Sequence, residues 1–318
     1  MEQMVKESVL CYYNFVEDIT ELIKKKMGDE FEVKCYKVTK NNSLELESLV
    51  ILKKGESYAP NIYLLPYYEA HLQGEGLLEL TNRIIRVFQS YSTPLLSGSF
   101  TYQYEEMKDS ITYRLVNYKK NRKLLESIPY IRYLDLAITF HCLVRDDSDG
   151  IGTIRITNEH LVLWKVTGDD LMKQAVANTK NVFPPTIKSM EEVIMGMMKD
   201  SCNTEQGESV WMEDVIDFPL ETESNKMYIL SNTKGINGAT CILYEDVLRE
   251  FGDHLRSDFY ILPSSIHEVI LVPYNHAISK AALNEMVIDV NRTQVSREEI
   301  LSDRVYFYSR ENKAIIMS

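Results

Sequence analysis

The chain has 318 residues, 45% of them apolar and 26% charged, the balance of an ordinary globular protein. Thirty-five Lys and Arg against 47 Asp and Glu leave a formal charge of −12. That balance disfavours generic nucleic-acid binding, which needs a basic surplus on one face. Five cysteines without a Cys-x-x-Cys pair argue against a zinc ribbon or a redox dithiol, and no apolar run approaches the ~20 residues of a membrane span. An odd cysteine count, and charged residues directly after Met1, make the cytoplasm the expected compartment.

In chain order, Val5, Val9, Tyr12, Val16, Ile19 and Ile23 form the stripe of an amphipathic helix that Lys24-Lys25-Lys26 and Gly28 bring to an end. The stripe is too short for a sustained coiled coil, so the helix is expected to dock on its own sheet. Phe31 to Val38 and Leu44 to Leu52 read as a hairpin, and Asn61 to Leu65 as a strand ending at Pro66. Leu77, Leu80, Ile84, Val87 and Tyr91 mark a second helix.

Tyr113, Leu115 and Asn117 alternate against Thr112, Arg114 and Val116, and Leu134 to Val144 is a branched, aromatic run; both read as strands. Lys119, Lys120, Arg122 and Lys123 form a short basic stretch with the reading of a solvated face. Thr167 to Asp170 and Ser189 to Glu192 have the spacing of capping boxes. The span from Asp200 to Asn225 reads as an acidic loop.

Met227 to Leu230 and Ala239 to Leu243 flank Asn237-Gly238, a hairpin signal. A helix over Val247, Leu248, Phe251 and Leu255 follows, then strands over Asp258 to Leu262 and Ile266 to Val272. A helix with Leu283, Met286, Val287 and Val290 precedes closing strands at Val305 to Tyr308 and Ala314 to Met317. The expected fold is α+β, with largely antiparallel sheets and helices packed on one face. Its two to three lobes are residues 1–110 (helix, hairpin and helix), 111–200 (a middle α/β segment) and 201–318 (ββαββαββ).

Known chemical motifs fail at specific positions. Asp146-Asp147-Ser148-Asp149-Gly150 suggests a calcium loop, but Arg145 and Ile156 occupy the first and last ligand positions, so it reads as an acidic turn. His267-Glu268 lacks the second histidine of a zinc-protease helix, because position 271 is Leu271. Gly235-Ile-Asn-Gly238 lies between strands rather than between the helices of a nucleic-acid clamp loop. No phosphate loop, dinucleotide fingerprint or nucleophile elbow is present, and no cofactor is expected.

One segment survives. On a strand, Ser265 and His267 share a face, the raw material of an activated nucleophile, with Ser264 and Glu268 on the other. Arg292, in Asn291-Arg-Thr-Gln294, would add a nearby cation. The competing reading is a turn with an ordinary strand histidine, so Ser265, His267, Glu268 and Arg292 are candidates and no residue is assigned as catalytic.

The runs Tyr260 to Ile270, Val290 to Val295 and Leu301 to Tyr306, with Tyr113 to Tyr118 and Thr157 to Leu161, resemble a family of uncharacterised proteins from anaerobic gut Clostridia. The resemblance covers most of the chain and implies no activity, that family being a domain of unknown function. The helix from Leu171 to Asn178 and the Leu301-Ser-Asp303 turn are similar to a second uncharacterised group of small Firmicute proteins.

Two functions stay open. The preferred one is a non-enzymatic binding or regulatory protein that engages a protein partner or itself through exposed aromatics such as Tyr102, Tyr104, Tyr306 and Tyr308. The alternative is a hydrolase or transferase in which Ser265, His267 and Arg292 converge in one pocket.

Overall fold

The computed structural model describes residues 2–55, 59–90, 103–147, 150–202, 226–277 and 279–317. They form an α+β fold in two compact units, Met1–Glu106 and Met107–Ser318.

In the first unit, α1 (Glu2–Met27) carries its three lysines in the last turn, where cations complement the helix dipole. The Gly28 N–H then closes the helix on the Lys24 carbonyl at 3.1 Å. Strands β1 (Phe31–Thr39), β2 (Glu45–Lys53) and β3 (Ile62–Tyr63) pair antiparallel in that order. Phe15, Val16, Ile19 and Ile23 of α1 bury against Val33, Leu49 and Ile51 of this sheet. At roughly 1.5–3 kcal/mol for each buried aliphatic, the stripe docks on its own chain. Val5 and Val9 have side chains outside the described set.

The strand expected up to Pro66 stops earlier, and α2 (Leu65–Leu72) takes Pro66 into its first turn. Proline is at home there, because that N–H has no helical partner to lose. Helix α3 (Leu77–Ser90) adds Leu80 and Ile84 to the core, while Tyr91 and Tyr102 lie outside the described residues.

The second unit holds two antiparallel sheets. The first is built from β4 (Ile111–Asn117), β5 (Tyr130–Tyr133), β6 (Leu136–Asp147) and β7 (Gly150–Arg155), with β6 paired to all three others. Asp147 pairs with Gly150, so the acidic Asp146–Gly150 run joins β6 to β7, its Ser148 and Asp149 lying outside the described residues. The second comprises β8 (Pro185–Ser189), β9 (Tyr228–Asn232), β10 (Phe259–Pro263), β11 (Val269–Pro273), β12 (Tyr306–Ser309) and β13 (Ala314–Ile316). Its order is β13-β12-β10-β11-β9-β8.

The short α4 (Tyr104–Met107) spans the boundary at Glu106, and the helices of the second unit proper begin with α5 (Arg122–Leu125). Then come α6 (Asn158–Trp164), α7 (Gly168–Val182) and α8 (Met190–Cys202). The last two are α9 (Glu245–Leu255) and α10 (Lys280–Thr293). Helix α8 begins inside a reciprocal capping box: the Glu192 N–H donates to Ser189 Oγ at 3.2 Å and the Ser189 N–H donates to Glu192 Oε2 at 2.8 Å. The loop expected from Asp200 starts later, the chain being helical to Cys202, and residues 203–225 lie outside the described set.

Three sequence expectations change here. Ala239 to Leu243 is not a strand; Gly238–Leu243 is a 3₁₀ helix entered from Asn237 at φ 53°. A strand has two edges, and β8 and β11 occupy both edges of β9. Tyr306 and Tyr308 are not exposed aromatics but core, at 0% and 3% exposure, and Tyr308 stacks on Phe259 at 4.7 Å. Met286 and Val290, placed inward by periodicity, face outward, while Leu283, Val287 and Asn291 are the buried positions of α10.

A polar latch ties the two sheets together. Asp135, in the turn between β5 and β6, accepts Ser302 Oγ–H and Tyr306 O–H, both at 2.7 Å. Asn117 Nδ2 donates to the Leu301 carbonyl, and Asn291 Nδ2 donates to the Ser302 carbonyl and to Asp303. Three of the runs noted above, Tyr113 to Tyr118, Val290 to Val295 and Leu301 to Tyr306, meet here.

Candidate functional site

The Ser264–Glu268 segment is a loop between β10 and β11, not the strand the sequence suggested. Strand pairing ends at Pro263–Val269, and the Ser265 N–H donates to the Glu268 carbonyl across the turn. Ser265 Oγ accepts the backbone N–H of His267 at 3.0 Å, and no hydrogen bond joins it to the imidazole. The ring is engaged elsewhere: Nδ1 accepts the Asn237 N–H at 3.3 Å, and Nε2 faces Glu299 Oε1 at 3.4 Å. An imidazole accepting at Nδ1 carries its proton at Nε2, so the Glu299 contact is Nε2–H to carboxylate. In this arrangement His267 ties two loops together, and the serine hydroxyl shapes the turn.

Arg292 is exposed on α10, and no hydrogen bond or ion pair joins it to Ser265, His267 or Glu268. A cavity of about 340 Å³ beside Tyr228, Phe251 and His254 is lined by none of these four residues. The buried cysteines offer no nucleophile either: burial pushes the Cys142 and Cys241 thiols up to about 12, and an attacking sulfur must be a thiolate. Among the described residues no His, Cys, Asp and Glu group could hold a metal ion.

Polar chemistry gathers instead on one face of the β4–β6 sheet. Register places Arg114 opposite Thr139, Thr112 opposite His141, and, on the other edge of β6, Arg155 opposite His141 and Tyr130 opposite Thr139. Side chains alternate across a strand, so these residues share a face, on which Arg132 follows opposite Ala137. The opposite face carries Tyr113, Leu115, Ile138 and Phe140, all buried, and it packs on α7. The apolar face anchors the sheet; on the polar face Thr112, Ala137, Thr139 and His141 are buried while Tyr130 and Arg132 are exposed.

At the β5 end the face is open. The Arg132 guanidinium lies 3.8 Å over the Tyr118 ring, with Arg122 on the same ring at 5.6 Å. Tyr130, 40% exposed, sits 6.0 Å from Tyr118. The hydrogen bond to Arg122 lowers the Tyr118 hydroxyl below its ordinary value, and the bond to Tyr118 raises that of Tyr130. Leu124, Leu125 and Ile128 pack beneath, against Ala137 and Tyr118, so the rings stand on a fixed base. Lys119 and Lys123 are exposed nearby in sequence. The run read as a solvated basic stretch therefore adjoins a second cationic strand residue and two aromatic rings.

At the β7 end the face is enclosed. His141 is 7% exposed, and burial, with Arg114 and Arg155 beside it, holds its pKa well below 6.5. The unfolded chain takes up a proton near pH 6.5 that the folded chain refuses, so this contribution is intact above that pH and lost below it. The expected slope is up to ~1.4 kcal/mol per pH unit. Stability by urea denaturation should decline from pH 7 to pH 5, and His141→Gln should flatten the decline; an unchanged slope contradicts it. His160, also lowered by burial, supplies a second part of the same dependence.

A family model described as "Family of unknown function (DUF5688)" matches residues 12–310. The chain belongs to that family. The match spans both units and both ends of the polar face, and it brings no activity with it. No curated protein and no solved structure matches the chain. Among the described residues no helix is long and apolar enough to cross a membrane.

Proposed function

We propose that this protein is a binding protein rather than a hydrolase or transferase, and that the Tyr118–Tyr130–Arg132 patch receives an acidic segment of a protein partner. The observation that carries the reading is the exposed Arg132 guanidinium stacked at 3.8 Å on Tyr118 beside the exposed Tyr130. Arg and Tyr are the residue types that dominate binding energy at interfaces, and a stacked guanidinium keeps its outward donors free for carboxylates. Tyr130 and Arg132 of the patch lie on β5, an edge of its sheet, and its charge is opposite to the −12 of the chain.

That contrast of sign favours a short acidic segment over a nucleic acid. A polyanion charged at every phosphate meets the repulsion of the whole molecule, whereas a few carboxylates meet the local patch. The engagement of both His267 ring nitrogens by other loops supports binding over nucleophilic chemistry.

The test is fluorescence anisotropy with a labelled glutamate-rich peptide and, separately, a single-stranded oligonucleotide. The peptide should bind the wild-type protein, weakening with salt, and Arg132→Ala should cost about tenfold or more in affinity. Equal affinity in the variant, or preference for the oligonucleotide, contradicts the proposal. Light scattering distinguishes self-association, the case in which the acidic segment belongs to a second copy.

A further inference from the structure

The cavity of about 340 Å³ lies at the β8 edge of the second sheet, far along the sheet order from the strand that carries Tyr306. Its apolar wall comes from Ile187 of β8, Tyr228 of β9 and Phe251 of α9. Register sets Ser189 opposite Tyr228 and Ile187 opposite the fully buried Leu230, so the strands turn their core face to the cavity. The Tyr228 and Phe251 rings meet edge to face at 5.1 Å, and Phe251 rests in the same way on buried Phe259. That wall is fixed by the core behind it. The first turn of α8 is fixed too, by the Ser189–Glu192 capping box and by the Met190 N–H, which donates to the Met227 carbonyl at 2.9 Å.

Charges of both signs face the same space. Glu191 and Lys226 line the cavity half-buried, and His254 lines it from the last turn of α9. Among the described residues no hydrogen bond or ion pair engages any of these three side chains. The carboxylate and the ammonium thus present their charges to the cavity rather than to each other. An inorganic anion would meet the carboxylates of Glu191 and Glu192, and a bare cation would meet Lys226. The acidic groups with His254 do not gather closely enough to hold a metal ion among the described residues. A ligand that carries both charges meets each with its opposite. The volume stands near the lower end of the roughly 300–1,000 Å³ of small-molecule sites, which favours a small one.

We propose that this cavity binds a small zwitterion, a free α-amino acid with an apolar or aromatic side chain. Glu191 takes the ammonium group, Lys226 takes the carboxylate, and the Ile187–Tyr228–Phe251 wall takes the side chain. His254 adds a polar contact at the rim. The site is independent of the Tyr118–Arg132 patch: its variants and probes are different, and either reading can fail alone.

The experiment is calorimetric titration of the full chain with L-leucine and with L-phenylalanine. The controls are the amine left when each loses its carboxylate (isopentylamine, phenethylamine) and the acid left when each loses its ammonium (methylpentanoate, phenylpropionate). At least one amino acid should bind saturably, with its amine and its acid each about tenfold or more weaker. Glu191→Gln should weaken the amino acid to the level of its acid and leave the acid unchanged. Lys226→Met should weaken the amino acid to the level of its amine and leave the amine unchanged. A side chain that only supported the fold would weaken all three ligands alike.

Should one variant fold poorly, the other decides, because each predicts its own change in ligand preference. Absence of saturable binding by both amino acids overturns the site. An amine or acid that binds as tightly as its amino acid, or a preference unmoved by the variants, overturns it as well.

Discussion

Replacing Asp135 with alanine should destabilise the protein by about 3–5 kcal/mol. The carboxylate accepts from Ser302 Oγ and from Tyr306 Oη at 2.7 Å each, and bonds to a charged acceptor contribute about 1.5–3 kcal/mol apiece. Its loss also strands a hydroxyl in the core, because Tyr306 is fully buried. Burial, and then the nearby Asp135 charge, raise the Tyr306 phenol above its ordinary value, which favours the neutral hydroxyl that donates to the carboxylate. Asp135→Asn retains an acceptor oxygen and should cost about half as much. Urea denaturation of the three proteins measures this; an Asp135→Ala variant within about 1 kcal/mol of wild type would show that the latch does not hold the two sheets.

Gly238→Ala should cost about 3 kcal/mol or more. A Cβ there would stand 2.2 Å from Ser231 Oγ, 2.4 Å from the His267 carbonyl oxygen and 2.9 Å from the Asn232 nitrogen. Two of these are backbone atoms, and the Ser231 hydroxyl is held by its own bond to the His267 carbonyl at 2.8 Å. Nothing near can step aside without breaking that junction. Gly235→Ala provides the contrast: its Cβ meets nothing within 4 Å, and only its φ of +65° is strained, for about 1–2 kcal/mol. Equal costs at the two positions would mean that the close approach at Gly238 relaxes.

Both effects arise from contacts distant in sequence, and that marks the limit of what the sequence made legible. Local rules read well. The α1 stripe, the β1–β2 hairpin and the caps at Thr167 and Ser189 depend on neighbours within about four residues, and each is present. The Asn237-Gly238 pair was legible as a bend, but not as the entry to a 3₁₀ helix. That outcome depends on β8 and β11 claiming both edges of β9, which no local pattern records. Tyr306 and Tyr308 misled for the same reason: an aromatic strand pattern suits an interface or a core, and only the neighbouring strands decide.

The candidate site divides along the same line. Ser265 and His267 were conspicuous because they are two residues apart, yet the turn spends the hydroxyl on a backbone N–H and the imidazole on other loops. The polar face was half visible in the alternation of Thr112, Arg114 and Val116. Its meaning needed the register that sets Arg114 beside Thr139 and Arg155 beside His141. Tyr118, Arg122, Tyr130 and Arg132 are spread over fifteen positions of chain and converge only when β5 pairs with β6.

The central claim is that the protein binds an acidic protein segment at the open end of this face. Amide hydrogen exchange, with and without the glutamate-rich peptide, tests it most directly. The account predicts added protection in Tyr130–Tyr133 and the flanking Tyr118–Leu125 segment, lost in Arg132→Glu while the rest of the exchange pattern is unchanged. Protection confined to other elements, or peptide binding undiminished by Arg132→Glu, would contradict it.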